Sequence, residues 1–338
     1  MHKLFLLFLS LFMLSMETAA QKNITVMFYN VENFFDYTDD PKTQDEEYLP
    51  GSPKHWDEKK YGNKIKRIAQ VIDSAVNGIA LPDIIGVCEI ENNGVLTDLI
   101  SRSSLKSKSY TSLCSTGKDT RGINVGLIYD KNVFEFVTYK ELDAIFPELP
   151  NNKTRNILCV ALKFKATGEV LNVLVNHWPS RNDGEKETEP RRLHAALVLR
   201  NYVNELLKQN KEAKIIIMGD LNDTPKSKSV FNVLKANAKP DKEWGELLNP
   251  FLNLENRGEG THIDNNEWHV FDNIILSTAF LQGKGLIFKP NDAFILKKDF
   301  VLFKNHSTGF IKPNRTFGGD KYFNGYSDHL AVYVRLSY

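Results

Sequence analysis

Asp220 and Asn222 form the first pair of residues in this sequence that could carry out chemistry. They lie two residues apart in the segment 219–223, so in an extended chain their side chains face the same side. An ionised carboxylate beside a neutral amide can hold and orient a water molecule or one oxygen of a phosphate group. Gly219, directly before Asp220, allows close approach of the backbone. The alternative is an ordinary turn after a strand, because Asp and Asn are common turn residues.

Asp328 and His329 form a second candidate pair, placed just before the apolar run 330–336. A sheet would hold a histidine in this position, and histidine commonly transfers protons near neutral pH. Hydrolysis of a phosphodiester needs charge stabilised on the phosphoryl oxygens and a proton controlled at one oxygen. Asp328 could also ligate a metal. A lone structural histidine is the alternative.

Asp272 is embedded in an apolar run, where a carboxylate is costly to bury without a partner. His329 would be a suitable partner, because an aspartate fixes the tautomer and orientation of an imidazole. Elsewhere, His177 ends another apolar run and is followed four residues later by Arg181, a residue type that grips phosphate in bidentate fashion. For His177 the alternative is a strand-to-loop transition with a buried Trp178.

Glu89 follows the apolar run 84–88 and is the candidate metal ligand. Mg²⁺ is usually held by one or two carboxylates together with waters and substrate oxygens. The candidate ligands are hard oxygen atoms, which favours Mg²⁺ or Mn²⁺ over zinc. Glu91 lies nearby, but it falls past the predicted strand end and is set aside.

Apolar runs of strand length and two amphipathic segments of helix length alternate along the chain. Asp57 predicts the N-cap of a first helix that stops at Gly78, and Pro190 is predicted to open a second helix. The pattern predicts one α/β domain. Strands are predicted at residues 24–29, 84–88, 126–129, 134–137, 156–165, 171–176, 214–218, 270–276 and 330–336.

Four of these strands end directly in a residue that could bind a metal or transfer a proton. In α/β folds, ligands bind in the crevice at the carboxyl ends of the strands, so the four ends predict one shared site. The alternative is that any strand must end in something polar. The four residues are Asn30, Glu89, His177 and Asp220.

The N-terminus has the pattern of a secretory signal peptide. Lys3 precedes the apolar run 4–14, and small residues at 18–20 predict cleavage before Gln21, which leaves one catalytic domain over residues 21–338. We therefore expect an exported protein, periplasmic or secreted, with no stable membrane insertion after cleavage. A membrane anchor is the alternative, but the run is shorter than the roughly 20 apolar residues that span a bilayer.

The overall composition excludes few classes of function. The chain has 43 Lys and Arg against 42 Asp and Glu, so its net charge of +1 makes no case for nucleic acid. Any site for a polyanion must come from local clustering or from a bound metal. Cys88, Cys114 and Cys159 give no disulfide framework, although one bridge remains open.

Six short motifs, taken together in chain order, resemble the endonuclease/exonuclease/phosphatase family, in its deoxyribonuclease-like, exported bacterial branch. The resemblance covers nearly the whole chain after residue 21. It implies a four-layer α/β sandwich, in which two packed mixed β-sheets are flanked by helices, with a Mg²⁺ site at one end of the sheets. The motifs are Phe28-Tyr29-Asn30, Val87-Cys88-Glu89, Asn176-His177-Trp178, Gly219-Asp220-Leu221-Asn222, Phe271-Asp272-Asn273 and Ser327-Asp328-His329.

The resemblance also implies a role for each matched residue. Glu89 would be the main metal ligand, with Asn30 and Asp328 beside it. Asp220 would activate or position the attacking water, and Asn222 would help to orient that water and the phosphate.

His329, oriented by Asp272, would contact the scissile phosphate, and His177 would be a second phosphate contact. The implied contacts to a flanking phosphate are Arg181, Arg121 and Asn124. Arg155 is a weaker candidate, expected at the surface.

Two basic segments bear on the substrate. The first helix carries Lys59, Lys60, Lys64, Lys66 and Arg67, expected on its solvated face. Residues 312–326 mix basic with aromatic side chains and lead into Asp328 and His329, so they should line the site and could grip a nucleic acid. We expect a monomeric nuclease acting on DNA or RNA. The alternatives are a hydrolase of a smaller phosphodiester or phosphomonoester and a non-catalytic binding module.

Overall fold

Strands and helices alternate along the chain in the computed structural model, which describes residues 22–148, 154–240 and 244–338. The strands are β1 (Asn23–Phe34), β2 (Ile84–Ile90), β3 (Tyr110–Cys114), β4 (Asn124–Asp130), β5 (Phe134–Leu142), β6 (Ile157–Phe164), β7 (Val170–His177), β8 (Lys214–Asp220), β9 (Ala236–Asn237), β10 (Leu247–Leu248), β11 (His262–Asp264), β12 (Glu267–His269), β13 (Asp272–Ser277), β14 (Ile287–Ile295), β15 (Leu302–Lys304), β16 (Ile311–Pro313), β17 (Phe317–Gly318), β18 (Lys321–Tyr322) and β19 (Val332–Ser337). The α-helices are α1 (Glu58–Asp73), α2 (Asn93–Ser101), α3 (Glu185–Gln209) and α4 (Phe251–Asn256). Short 3-10 turns occupy Glu46–Tyr48, Ala75–Gly78, Ser104–Ser107, Thr278–Leu281 and Asp299–Val301, and a π-turn occupies Ser229–Val233.

Two large mixed sheets organise these strands. The first sheet has the order β14-β19-β1-β2-β4-β3, and the second has the order β5-β6-β7-β8-β13-β10-β9. A parallel pair lies within each sheet, β1 with β2 and β7 with β8, and antiparallel strands flank it. Parallel neighbours end at the same edge, which brings the ends of β1 and β2, and those of β7 and β8, side by side.

Alternation of side chains along each central strand creates the layers. In β1, Val26 and Phe28 face the second sheet, whereas Met27 and Tyr29 belong to the apolar cluster that packs against α1. In β8, Ile216 joins the cluster between the sheets, and its neighbours join the cluster under α3. The predicted four-layer sandwich is therefore confirmed.

The structure corrects the predicted ends of two strands. β1 continues past Asn30 to Phe34, and β2 continues past Glu89 to Ile90, with a register shift in their pairing beyond Asn30. Glu89 has a φ of 60°, a left-handed conformation in which non-glycine residues are strained. The bulge re-aims the polar side chains while the strands run on, which a pattern of apolar residues does not show.

The helix boundaries also differ in part from the prediction. Asp57 caps α1 as predicted, accepting a hydrogen bond from the Lys60 backbone N–H. That helix ends at Asp73, and a separate 3-10 turn carries the chain to Gly78. Pro190 does not open α3, which begins at Glu185; acidic residues in its first turn suit the positive end of the helix dipole.

β6 and β7 form a hairpin, whereas β4 and β5, which follow each other in the chain, belong to different sheets. The three cysteines are unpaired. Among the described residues, no helix is both long and apolar enough to cross a membrane. The predicted signal peptide, residues 1–20, lies outside the described residues.

Candidate active site

Four polar side chains from the two sheets meet at one end of the sandwich, as the strand ends predicted. Asn30 and Glu89 come from the first sheet, and His177 and Asp220 come from the second. The Asn30 amide joins the sheets, because its Nδ2 donates to Glu89 Oε1 at 3.1 Å and to Asp220 Oδ2 at 3.0 Å. Asn30 is fully buried and Asp220 is 1% exposed, so this link is shielded from water.

The Glu89 carboxylate is positioned by hydrogen bonds and keeps oxygen lone pairs that could bind a cation. Its two oxygens accept from Asn30 Nδ2 and from the Asn33 backbone N–H at 3.0 Å, which leaves lone pairs free on both. Burial raises the pKa of the Glu89 carboxyl, and the charge of Asp328 raises it further. Two carboxylates that repel each other across a partly buried site provide hard oxygen donors that fit a divalent cation, whereas the Asn30 Oδ1 accepts from the Glu32 backbone N–H.

Asp328 completes this group from the loop before β19. Arg315 donates to its Oδ2 at 3.3 Å, and the His262 Nδ1 donates to its backbone carbonyl at 2.9 Å. Burial acts to raise the pKa of Asp328, but the charges of His329, His262 and Arg315 outweigh it and hold the pKa below its usual range. Asp328 therefore stays an anion even without a cation beside it.

Three sets of side chains in the described residues have ligand atoms close enough to share an ion, and none of them includes Glu89. They suit a hydrogen-bond network better than Mg²⁺, because each includes a thiol or an imidazole in place of a hard oxygen. The three sets are Cys88, His177 and Asp220; His262, Asp328 and His329; and Asp220, Asp272 and His329.

His329 and Asp272 form the predicted pair. The distance from His329 Nδ1 to Asp272 Oδ2 is 2.8 Å, and both residues are buried. Burial alone would lower the pKa of His329, but Asp272 and Asp220 outweigh it and hold the pKa well above that of an ordinary histidine. The imidazole is therefore cationic, and its Nε2 lies 3.7 Å from Asp220 Oδ2, with a donor facing the centre of the site.

His177 differs from His329 in its protonation. Burial lowers its pKa well below the usual value, and Arg155 and Arg121 lower it further, so the ring is neutral. Its Nε2 lies 3.7 Å from Asp220 and 3.9 Å from Glu89, beyond hydrogen-bond distance of either. Its Nδ1 is buried without a hydrogen-bond partner. Two imidazoles of different charge thus flank Asp220.

Asp220 and Asn222 are fixed by a tight turn at the end of β8. The Asn222 backbone N–H donates to Asp220 Oδ1 at 2.9 Å, and the Asn222 Nδ2 donates to the Trp178 carbonyl at 3.0 Å. Gly219 is needed here because a Cβ at this position would lie 2.5 Å from the Asn176 carbonyl oxygen. The predicted extended arrangement of this pair is wrong, because Asn222 has a φ of 49° and is linked to Asp220 through its backbone N–H, which is the turn that was the alternative.

The residues predicted to bind a flanking phosphate all have partners within the protein. Arg181 bonds the Asn222 carbonyl at 2.7 Å and Asp223 at 2.9 Å. Arg121 and Arg155 share Asp119. The Asn124 amide donates to two backbone carbonyls.

Arg155 was expected at the surface, and this was wrong. It is 6% exposed and donates to the Trp178 carbonyl at 2.6 Å. A guanidinium can be buried here because Asp119 supplies the opposite charge.

His262 and Glu32 were not among the predicted site residues, whereas Arg315 lies in the segment 312–326 that was expected to line the site. His262 stacks on His329 with ring centroids 4.2 Å apart, yet no apolar strand leads into it, so the criterion of strand ends did not select it. Arg315 bridges Glu32 and Asp328. Lys64 was expected in solvent but is 1% exposed and donates to Thr316 Oγ1 at 2.6 Å. Its position three residues after Tyr61 and four before Ile68 places it on their face of α1.

Comparison with known protein families matches residues 25–338 to the Endonuclease/Exonuclease/phosphatase family. The chain belongs to this family. Its members hydrolyse phosphoester bonds and depend on divalent metal ions. A search of curated proteins finds no match.

Solved structures share the family's fold at low sequence identity. An endonuclease/exonuclease/phosphatase family protein from Bacteroides thetaiotaomicron has 16% identity and a TM-score of 0.56, with 94% of this chain and 98% of that chain covered. A humanised TDP2 from D. rerio has 17% identity and a TM-score of 0.54, with coverages of 93% and 98%. A mannosyl-6-phosphatase from Bacteroides thetaiotaomicron has 17% identity and a TM-score of 0.56, with coverages of 93% and 100%. At these identities the likeness shows the fold, and the family membership supports a phosphoesterase.

Proposed function

We propose that this family member is a Mg²⁺-dependent phosphodiester hydrolase, exported from the cell, whose substrate is DNA or RNA. The observation that carries the proposal is the geometry of His329, whose Nδ1 lies 2.8 Å from Asp272 and whose Nε2 lies 3.7 Å from Asp220, at a site that also holds Glu89 and Asp328; the two carboxylates raise the pKa of His329. A phosphodiester needs a fixed positive charge on its non-bridging oxygens and a carboxylate near the attacking water. This end of the sandwich offers both.

Glu89, Asn30 and Asp328 would hold the cation, which when bound stabilises negative charge on the phosphate oxygens. The protein fixes these ligands in advance: the bulge at Glu89 aims its carboxylate, and Arg315 anchors Asp328. We expect Glu89 and Asp328 to rearrange little on binding, because each is already held by at least one hydrogen bond, whereas Asn30 would have to turn its amide oxygen toward the cation.

The remaining residues act on the phosphate and the water. His329 donates from Nε2 to a phosphate oxygen, and neutral His177 donates from the other side. Asp220, turned toward both imidazoles, accepts a proton from the attacking water or orients it. Asn222 holds the position of Asp220 through its backbone N–H.

The substrate assignment is supported by the segment that leads into Asp328. Residues 312–326 place Arg315 beside the acid group and expose Phe323, so cationic and aromatic side chains adjoin the catalytic centre. A related structure is that of D. rerio TDP2 complexed with a single-strand DNA product. Export is supported by the N-terminal sequence pattern alone.

A second candidate is a hydrolase of a small phosphodiester or phosphomonoester. The paired arginines favour it, because Arg121, Arg155 and Arg181 are neutralised by Asp119, Asp223 and Glu185 and offer little free charge to a long polyanion. The relative named as a mannosyl-6-phosphatase is covered over its whole length.

The deciding experiment compares substrates on the purified mature protein. Single-stranded DNA, plasmid DNA, RNA, an aryl phosphodiester and an aryl phosphomonoester are incubated with Mg²⁺ and, separately, with a chelator. We expect cleavage of nucleic acid and of the diester with Mg²⁺ only, loss of this activity in Glu89→Gln, and retention in Glu91→Gln. Glu91 is a matched control because it is buried and close in sequence but bonds the Asp36 backbone N–H outside the site.

Activity that persists in the chelator or in Glu89→Gln would contradict the proposed metal site. Cleavage of the monoester without cleavage of nucleic acid would replace the first candidate by the second.

A further inference from the structure

A small cavity of about 200 Å³ lies in the segment that leads to Asp328. The two phenylalanines among its walls, Phe303 and Phe323, are 46% and 48% exposed, and both line the same cavity. The cavity is smaller than the pockets of roughly 300–1,000 Å³ that enclose drug-sized ligands, and it suits a single ring system. It is lined by Phe303, Lys312, Pro313, Asn314, Arg315 and Phe323.

The phenylalanine walls are held in place by the fold. β15 pairs with β16 so that Phe303 stands directly opposite Lys312. The Phe323 ring lies over Gly318, where a Cβ would come within 2.6 Å of the ring, and the Phe323 backbone N–H donates to the Thr316 carbonyl. The other aromatic residues of this segment pack inward; Phe317, for example, is 7% exposed. Phe303 and Phe323 therefore stay exposed on a rigid support.

The opposite side of the cavity is equally constrained. Gly325 packs against the Asn314 and Arg315 carbonyls, and a Cβ there would lie 2.2 Å from both oxygens. This contact fixes the backbone from which Arg315 reaches Glu32 at 3.1 Å and Asp328 at 3.3 Å. The same arginine thus lines the cavity and bonds a candidate metal ligand, which places the cavity beside the catalytic centre.

The charges around the cavity favour a negatively charged ligand. Lys312 and Arg315 line it, Lys321 lies 5.5 Å from the centre of the Phe323 ring, and no carboxylate is among its six lining residues. Exposed aromatic faces combined with cations are the features that bind single-stranded nucleic acid through stacked bases and a phosphate backbone.

We propose that this cavity is a nucleobase subsite. A base next to the scissile phosphate packs in the cavity against both Phe303 and Phe323, while Lys312 and Lys321 contact the following phosphates. The proposal rests on the proposed hydrolase function and adds that the substrate is single-stranded and recognised through a base.

The test uses a single-stranded oligonucleotide with one cleavable diester between blocked linkages. A second oligonucleotide of the same length carries base-free deoxyribose spacers on both sides of that diester. Phe303→Ala and Phe323→Ala should each lower kcat/KM for the first substrate by roughly 5- to 150-fold, the size of one lost base–aromatic stack. The base-free substrate should be cleaved slowly by the wild type and changed less than about twofold by either variant, since no stack is left to lose.

Phe136→Ala is the matched control, because Phe136 is also an exposed phenylalanine, 42% exposed, but lies on β5 at the edge of the second sheet. It should leave kcat/KM unchanged for both oligonucleotides. Equal losses on the two substrates, no loss in either cavity variant, or the same loss in Phe136→Ala would overturn the subsite.

A binding measurement separates this proposal from the proposed function. Fluorescence anisotropy of a labelled thymidine oligonucleotide is recorded on His329→Ala with Mg²⁺, so that cleavage does not interfere. Adding Phe303→Ala should weaken binding by at least about fivefold. If the wild type cleaves nothing yet this difference persists, the subsite stands and the hydrolase function fails; if the difference is absent, the subsite fails whatever the activity.

Discussion

The two sheets contribute different chemistry to one site. In the proposed function, the first sheet and its adjoining loop would supply the metal ligands Asn30, Glu89 and Asp328. The second sheet would supply two residues that act on water and phosphate, His177 and Asp220. Each set alone would be a group of polar residues at a sheet edge.

Two of the buried hydrogen bonds in the site cross between these halves. Asn30 reaches from β1 to Asp220 on β8, and His329, in the loop before β19, reaches to Asp272 on β13. In the proposed function, the first sheet would prepare charge for a cation and the second would prepare proton transfer, with these hydrogen bonds setting their separation. The following substitutions test this division.

His329→Ala should have the largest effect, because it removes the protonated imidazole that would face the phosphate where the two sheets meet. We expect kcat to fall by roughly 10²- to 10⁴-fold, the range for loss of a positioned acid or base. Steady-state kinetics on an aryl phosphodiester would measure it. The control is His306→Ala, an exposed histidine outside the site, and a similar fall in that variant would show that the loss is not specific.

Asp272→Asn should come next, with a fall in kcat of roughly 10- to 100-fold, as found for partners that orient an imidazole at a metal site. Because the negative charge of Asp272 helps to raise the pKa of His329, its loss should shift the alkaline limb of the pH–rate profile to lower pH. If the alkaline limb of the profile does not shift, a group other than His329 determines its position.

The same pair makes a prediction for stability. The folded-state pKa of His329 is raised, so its protonation stabilises the protein fully below the ordinary pKa of histidine, and this contribution is lost as pH rises through the folded value. Wild type should therefore exceed Asp272→Asn in free energy of unfolding at about pH 6, and the gap should narrow toward about pH 10. Urea unfolding in a chelator would measure the gap; a gap that widens with pH would contradict the assignment.

Asn30→Ala should have a moderate effect, because it removes the hydrogen bonds that join Glu89 to Asp220. We expect the free energy of unfolding to fall by about 1–3 kcal/mol, with a loss of activity beyond what unfolding explains. Asn249→Ala is the matched control, since Asn249 is also fully buried and bonds Asn273 outside the site. It should lose comparable stability and keep its activity per folded molecule. Equal loss of activity in both variants would remove the special role of the link between the sheets.

Arg121→Ala should have the smallest effect. Its side chain is 54% exposed and already paired with Asp119, so KM should rise by less than about fivefold with kcat unchanged. A much larger rise would restore Arg121 as a principal phosphate contact.

Much of the site could be predicted from the sequence because it lies where apolar strands stop. His177 and Asp220 end β7 and β8, so hydrophobic patterning located them directly. Arg155 and Lys64 were misplaced, because the sequence shows a charged residue but not the carboxylate or hydroxyl that receives it in the fold. His262 was missed because its short ribbon, β11–β12, has no apolar run to mark it.

The sequence by itself determined the type of each layer, the order of the motifs and the residue types at the strand ends, since these follow from local alternation and residue chemistry. Only the tertiary structure decided which side chains share a hydrogen bond, which imidazole is cationic, and which aromatic rings stay exposed beside Arg315. The physical reason is that pKa values and burial depend on neighbours far apart in the chain: Asp272 and His329 are 57 residues apart, and Asn30 and Asp220 are 190.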